Sequence, residues 1–203
     1  LGDVYKRQVE IVSGTASIAL ADVDAGTGSA YIEAALAVTD NNDNTAGNNV
    51  TGGSLAVTAT TGIGSGNALE TAVDNLAFSN VTTSGNVEVD NNGDLTVNSV
   101  GNQATSTNAV GNVVLEASSP ITFAVNTSAS GDLTADALET AANDDDITVN
   151  AGVTVESTGG GTVTFNAGDD IILADATSVV SSNAAGGQVV LNSGVGDSDD
   201  VGS

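Results

Sequence analysis

Aspartate, asparagine and glycine crowd into four short strings of this chain: DNNDN at 40–44, DNNGD at 90–94, NAGDD at 166–170 and GDSDD at 196–200. Closely spaced oxygen donors on a turning backbone are what a hard cation such as calcium takes as ligands. Calcium is therefore the one cofactor these strings suggest, with Asp40, Asn42, Asp43, Asp90, Asp94, Asp169 and Asp170 as the candidate ligands. None of the strings is a complete calcium loop. Asp40, Asn42 and Asn44 have the opening spacing of a twelve-residue loop, but Thr45 stands at its glycine position and Thr51 at its bidentate glutamate. DNNGD and NAGDD have parts of a calcium nonapeptide without its tandem repetition. An ordinary Asx-rich turn remains the other reading of each.

The same carboxylates raise the question of sugar hydrolysis, which uses two acids flanking one bond. NDDD at 143–146 and GDD at 168–170 place acids side by side, and a polysaccharide-cleaving enzyme would use Asp169 and Asp170. The chain has no His, and its only bases are Lys6 and Arg7, so no Ser has a base to activate it and nothing steers an acidic sugar. The reading favoured here is non-catalytic, with a calcium- or carbohydrate-binding module as the alternative.

A net charge of −24 with both bases confined to the first eight residues cannot neutralise phosphates, which excludes nucleic acid and disfavours anionic bilayers. Without Cys there are no disulfides and no thiolate metal sites. The longest apolar stretch, AYIEAALAV at 30–38, is too short to span a membrane and contains Glu33. Few aromatics and high charge are marks of disorder. Recurrent Val, Ile and Leu, with 25 Gly and a single Pro, point instead to many short strands and frequent turns.

The elements that would hold these turns announce themselves by a two-residue period. Apolar pairs stand at Val87/Val89, Leu95/Val97, Val113/Leu115, Ile121/Phe123, Ile147/Val149, Val153/Val155, Val163/Phe165, Ile171/Leu173 and Val189/Leu191. The steps 87 to 113, 95 to 121, 121 to 147 and 163 to 189 are each 26 residues, whereas 147 to 163 is not. Strand pairs that recur while their connections vary in length suit a β-solenoid, where insertions leave the stack as loops. The expected fold is all-β, a parallel β-helix, with an antiparallel β-sandwich as the alternative. The short strands and scarcity of aromatic filler favour the solenoid. Earlier strands are expected at 9–12, 16–21, 32–38 and 54–59, with a loop at 40–49. Roughly nine coils at about 4.8 Å each would give a rod on the order of 43 Å. Asn92, Asn98, Asn126, Asn150, Asn166 and Asn192 are candidates for stacking between coils.

Two resemblances extend this reading. LGDVYKRQ at 1–8 resembles the translation of a sequencing adapter, so residues 1–8 are set aside as a non-native tail and 9–203 taken as one continuous solenoid fragment. ALETA occurs at 68–72 and again at 137–141, though the second copy runs on to NDDD where the first runs on to VDN. GNALETAVDNLAF with SGNVEVDNNGDLTVNSV, and TVTFNAGDDIIL at 162–173, resemble the repeats of large filamentous-haemagglutinin-like surface proteins of Gram-negative bacteria. That resemblance implies a right-handed parallel β-helix, export to the bacterial outer surface, and a role as adhesin or filament shaft. Its implied partners are the rest of a larger polypeptide and host-cell or matrix glycans.

Overall fold

The computed structural model describes residues 8–42, 47–140, 144–183 and 186–196. Among these there is no helix, and so none long and apolar enough to cross a membrane. The first turns hold β1 (Gln8–Ser13), β2 (Ile18–Leu20), β3 (Val23–Asp24), β4 (Ser29–Ala34), β5 (Val38–Asp40), β6 (Val50–Ala59) and β7 (Leu69–Asn80). Then follow β8 (Val87–Asn91), β9 (Leu95–Val97), β10 (Ser106–Asn108), β11 (Val113–Ala117), β12 (Ile121–Phe123) and β13 (Thr127–Ala129). The last turns hold β14 (Leu133–Ala137), β15 (Ile147–Val149), β16 (Thr154–Ser157), β17 (Val163–Ala167), β18 (Ile171–Leu173), β19 (Val179–Ser182) and β20 (Val189–Asn192).

Every pairing between these strands is parallel, and each joins a strand to its counterpart one turn away. That arrangement is a β-solenoid of about seven turns, and the antiparallel sandwich is set aside. One column runs Ile18, Val38, Ile63, Val87, Val113, Leu133, Val163, Val189, each residue paired with the next. At the interstrand spacing this stack is about 34 Å tall, shorter than nine coils would make it, because one turn can carry two of the apolar pairs, as β8 with β9 and β11 with β12 do. The four 26-residue steps are all true neighbours: Val87 with Val113, Leu95 with Ile121, Ile121 with Ile147 and Val163 with Val189.

Alternation puts Val113, Leu115 and Phe165 wholly inside, while Glu88, Glu116 and Thr164 face out. A single apolar core follows the axis from Leu20 to Ala167. Phe123 and Phe165 stack in it with ring centroids 5.5 Å apart, and each fully buried ring contributes roughly 1.5–3 kcal/mol. Toward the last turn the same inward positions lose their cover, leaving Leu173, Val189 and Leu191 exposed.

One expected strand is divided. Residues 32–38 form the end of β4, a turn, and the first residue of β5, rather than one strand. The two ALETA copies are not equivalent: Leu69 is fully buried in β7, whereas Leu138 is 42% exposed beyond β14. Thr71, Asn91, Ala117 and Ala137 share one register column, so the second copy is displaced by three residues. The octapeptide's last residue, Gln8, opens β1 in register with Ser29.

One face was only partly visible as apolar alternation: Val155 of β16 points inward, but most of its inward side chains are small or polar. Ser106, Asn108, Thr127 and Ser157 point into the stack from β10, β13 and β16 and are essentially inaccessible. They hold the adjoining corner. Asn108 Nδ2 donates to the carbonyls of Asn112 (2.7 Å) and Gly85 (3.2 Å), Asn80 Nδ2 to Asn108 Oδ1 (3.1 Å), and Ser157 Oγ to Gly131 O (2.8 Å). At that corner Gly85, Gly111, Gly131 and Gly161 stack so closely that a methyl on Gly111 would overlap the Gly85 carbonyl.

Candidate functional site

Where they are described, the acidic strings occupy the corners and outer faces of this stack, and the structure separates the six described ligand candidates among several places. Asp43 and most of GDSDD lie outside the described residues. Asp40, at the end of β5, is engaged by amides: Oδ1 accepts from the backbone N–H of Asn42 (2.7 Å) and from Asn49 Nδ2 (2.7 Å), and Oδ2 from Asn67 Nδ2. Asn42 turns its Nδ2 to the carbonyls of Ala21 (3.0 Å) and Gly47 (2.8 Å). Its donors close a loop, as the Asx-turn reading expects.

Asp90 and Asp94 do not converge either. Asp94 is exposed in the turn after β8, on the rim of a shallow cleft that Asp144 and Asp146 also line. Asp90 faces out from β8, in a column that no single string reveals. Register places Glu70, Asp90, Glu116 and Asp136 on successive turns, continued by Asn166 and Asn192. Four carboxylates thus stand one above another. Burial raises the pKa of Glu116, and the charges of Asp90 and Asp136 raise it further. Burial also raises that of Glu70; its backbone N–H acts the other way, and Asp40 and Asp90 add to the rise. The column ends in amides that relieve it: Asn166 Nδ2 donates to Asp136 Oδ1 (2.5 Å) and Asn192 Nδ2 to Asn166 Oδ1 (2.7 Å). Of the expected asparagine stack, 166 and 192 are direct neighbours, while Asn98 Nδ2 donates to Asn75 Oδ1 (3.1 Å).

Asp169 and Asp170 point to opposite sides of the wall: Asp169 is 4% exposed and Asp170 lies at the surface. Each meets the other acidic string one turn below. Asp169 Oδ2 accepts from the backbone N–H of the fully buried Asp145 (3.2 Å), and the Asp170 N–H donates to Asp146 Oδ1 (3.0 Å). Asp145 in turn accepts from Thr140, through its N–H (2.6 Å) and its hydroxyl (3.0 Å). With one carboxylate inside and the next outside, Asp169 and Asp170 do not flank a common bond, which is the geometry glycoside hydrolysis requires. Beside this corner Ser119 holds a left-handed backbone at φ 136°, its hydroxyl donating to Asp144 O (3.0 Å). Nothing in the sequence marks Ser119 for that role except the Pro that follows.

Among the described residues no three His, Cys, Asp or Glu side chains are grouped to hold a metal ion. What the acidic and amide side chains do together is fasten corners. Asn86 Oδ1 accepts from the N–H of Asn112 (3.1 Å), Asn112 Oδ1 from Asp132 (2.9 Å), and Asp132 Oδ1 from Thr162 (2.7 Å), each one turn further on. Comparison with protein-family models, curated proteins and solved structures finds no match for this chain.

Proposed function

We propose that the chain is a non-catalytic structural segment, a stiff spacer within a larger exported bacterial surface protein. The observation that carries this reading is the use of the acidic turns. Their side chains join each turn to the next, as Asn86, Asn112 and Asp132 do from 86 to 162, and among the described residues no three acidic side chains are grouped to hold a metal ion. Extended repeat architectures gain length by adding turns, each fastened only to its neighbours. A uniformly acidic outer surface without Lys, Arg or His beyond Arg7 supports an environment in which dissolved cations are abundant. The ALETA and TVTFNAGDDIIL resemblance supports the bacterial surface.

Antibodies raised against the chain should label intact cells of the source bacterium without permeabilisation. Labelling only after permeabilisation would sink the surface reading, and release of reducing sugar from neutral or acidic polysaccharides by the purified chain would sink the non-catalytic one.

A further inference from the structure

The strands at the two ends of the stack have unused edges, and the side chains beside those edges match. Among the described residues, β18, β19 and β20 of the last turn pair on one side only, with β15, β16 and β17. In the first turn β1 pairs only with β4, and β2 only with β5. A strand within the stack uses both edges, as β11 does with β8 and β14. An unpaired edge presents a row of backbone N–H and C=O groups that template another strand. The inward side chains there are uncovered too: Leu173, Val189 and Leu191 are 43%, 42% and 45% exposed, although Val149, Val163 and Phe165 one turn below are wholly buried. At the opposite end Val9, Ile11 and Ile18 lie half-buried against the core.

Register decides what fits between these ends. One inward column runs from Ile18 through Val87 and Val113 to Val189. Another runs from Val9 through Leu55, Leu76, Phe123 and Val149 to Leu173. A second copy set one interstrand step beyond the last turn places its Val9 over Leu173 and its Ile18 over Val189. Leu191, two residues past Val189, then meets Leu20, two past Ile18, and Val180 of β19 meets Ile11. Apolar side chains face each other at all four positions. Where β1 is one strand the last turn has two, β18 and β19, and the stack already accommodates that difference, because β7 pairs with both β9 and β10.

Direction selects the partner end. All pairings in the stack are parallel with one face inward. Two copies meeting by the same end would either reverse the strands or turn the inward faces outward, whereas unlike ends continue both. A contact between unlike ends does not close on itself, so copies add in a line. Each copy carries a net charge of −24, so copies repel at low salt and screening favours the contact.

We infer that the chain stacks head to tail with a second copy of itself, the β18–β20 edge of one pairing in parallel with the β1–β2 edge of the next. The spacer reading neither requires this contact nor falls with it.

The test is sedimentation velocity of the full chain from about 10 to about 300 µM, in ~0.05 M and ~0.5 M sodium chloride, with Leu191→Lys and Val114→Lys beside the parent. The parent should form a series of dimers, trimers and longer species that grows with concentration and with salt. Leu191→Lys alters a side chain that is already exposed, so it should melt as the parent does while weakening association about tenfold or more. Its first turn is intact, and added to the parent it should join one end of the assemblies and shorten them. Val114→Lys makes the same charge change on the side wall and should associate like the parent. The inference is overturned if the parent stays monomeric at the highest concentration in high salt, if assembly stops at a dimer that excludes Leu191→Lys, or if the two variants weaken association equally.

Discussion

Replacing Glu116 with Gln should make the protein more stable at neutral pH, an unusual sign for a substitution in a regular strand. Glu116 stands one turn from Asp90 and one from Asp136. Unit charges about 5 Å apart in a water-like dielectric repel by roughly 0.8 kcal/mol, and screening at 0.1 M salt reduces this to about 0.5 kcal/mol. Removing two such repulsions gives about 1 kcal/mol, or roughly 2–4 °C in a chain of this size. At ~1 M salt the Debye length is near 3 Å, and the gain should fall about threefold. The pH dependence has a definite sign. Burial, then Asp90 and Asp136, hold the folded pKa of Glu116 above its ordinary 4.5. Ionisation therefore costs more in the fold than in the unfolded chain. The penalty is absent below about 4.5, grows through the window up to the raised folded value, and is complete above it. The native protein should thus gain stability on acidification from neutrality, and Glu116→Gln should gain less; Glu70 contributes in the same direction. Asp175 opposes this only at lower pH, because hydrogen bonds from Thr177, first its hydroxyl and then its N–H, hold its pKa below 3.8. Thermal melts between about pH 7 and pH 4, at low and high salt, read all of these effects. A variant that melts at or below the parent at pH 7, or whose gain ignores salt, would refute the ladder.

Leu115→Ala should cost about 2–5 kcal/mol in chemical denaturation, because the side chain is wholly inside, whereas Val114→Ala, at the surface of the same strand, should cost far less; equal costs would mean the register is wrong. Gly111→Ala should destabilise by about 1–3 kcal/mol through overlap with Gly85, while Gly14→Ala, with nothing near its Cβ, should be close to neutral. Calcium and magnesium at matched ionic strength should raise melting alike, since among the described residues no three acidic side chains are grouped to hold a metal ion. A rise specific to calcium that disappears in Asp170→Asn would instead establish a site at the 166–170 turn.

The strand pairs were legible because inward Val, Leu, Ile and Phe alternate with outward Thr and Glu. The 26-residue steps were legible because neighbouring turns there have equal length, as with Leu95 and Ile121. The face built from β10, β13 and β16 was legible only at Val155, since a narrow corner needs side chains that satisfy turn carbonyls, and Ser106, Asn108 and Thr127 carry no apolar signal. The acidic strings were legible as Asx-rich turns, but their partners were not. Asp145 and Asp169 meet because two loops of different sequence reach one corner on consecutive turns, a relation that spacing within either string does not encode. A groove lined by Tyr31 and Gln103 was hidden for a related reason: the two are 72 positions apart in sequence, and only the packing of Val100 on Ala56 and Ala77 brings them to one surface.

A chain whose residues 8–203 include no base must fold against its own charge, and the solenoid eases that problem geometrically. Where a carboxylate is taken inside, as at Asp145, it receives donors from Thr140. The others face water. With a screening length of about 10 Å at 0.1 M salt and turns about 4.8 Å apart, each outward carboxylate feels chiefly its own turn and the two or so on either side. Repulsion therefore grows in proportion to the number of turns, as the burial of Leu, Val and Phe along the axis also does. In a compact globule of the same composition every charge would lie within a few screening lengths of every other, and repulsion would rise faster than burial. Stability per turn in the solenoid is then nearly independent of length, which is the property that lets one acidic sequence pattern build a rod of any reach.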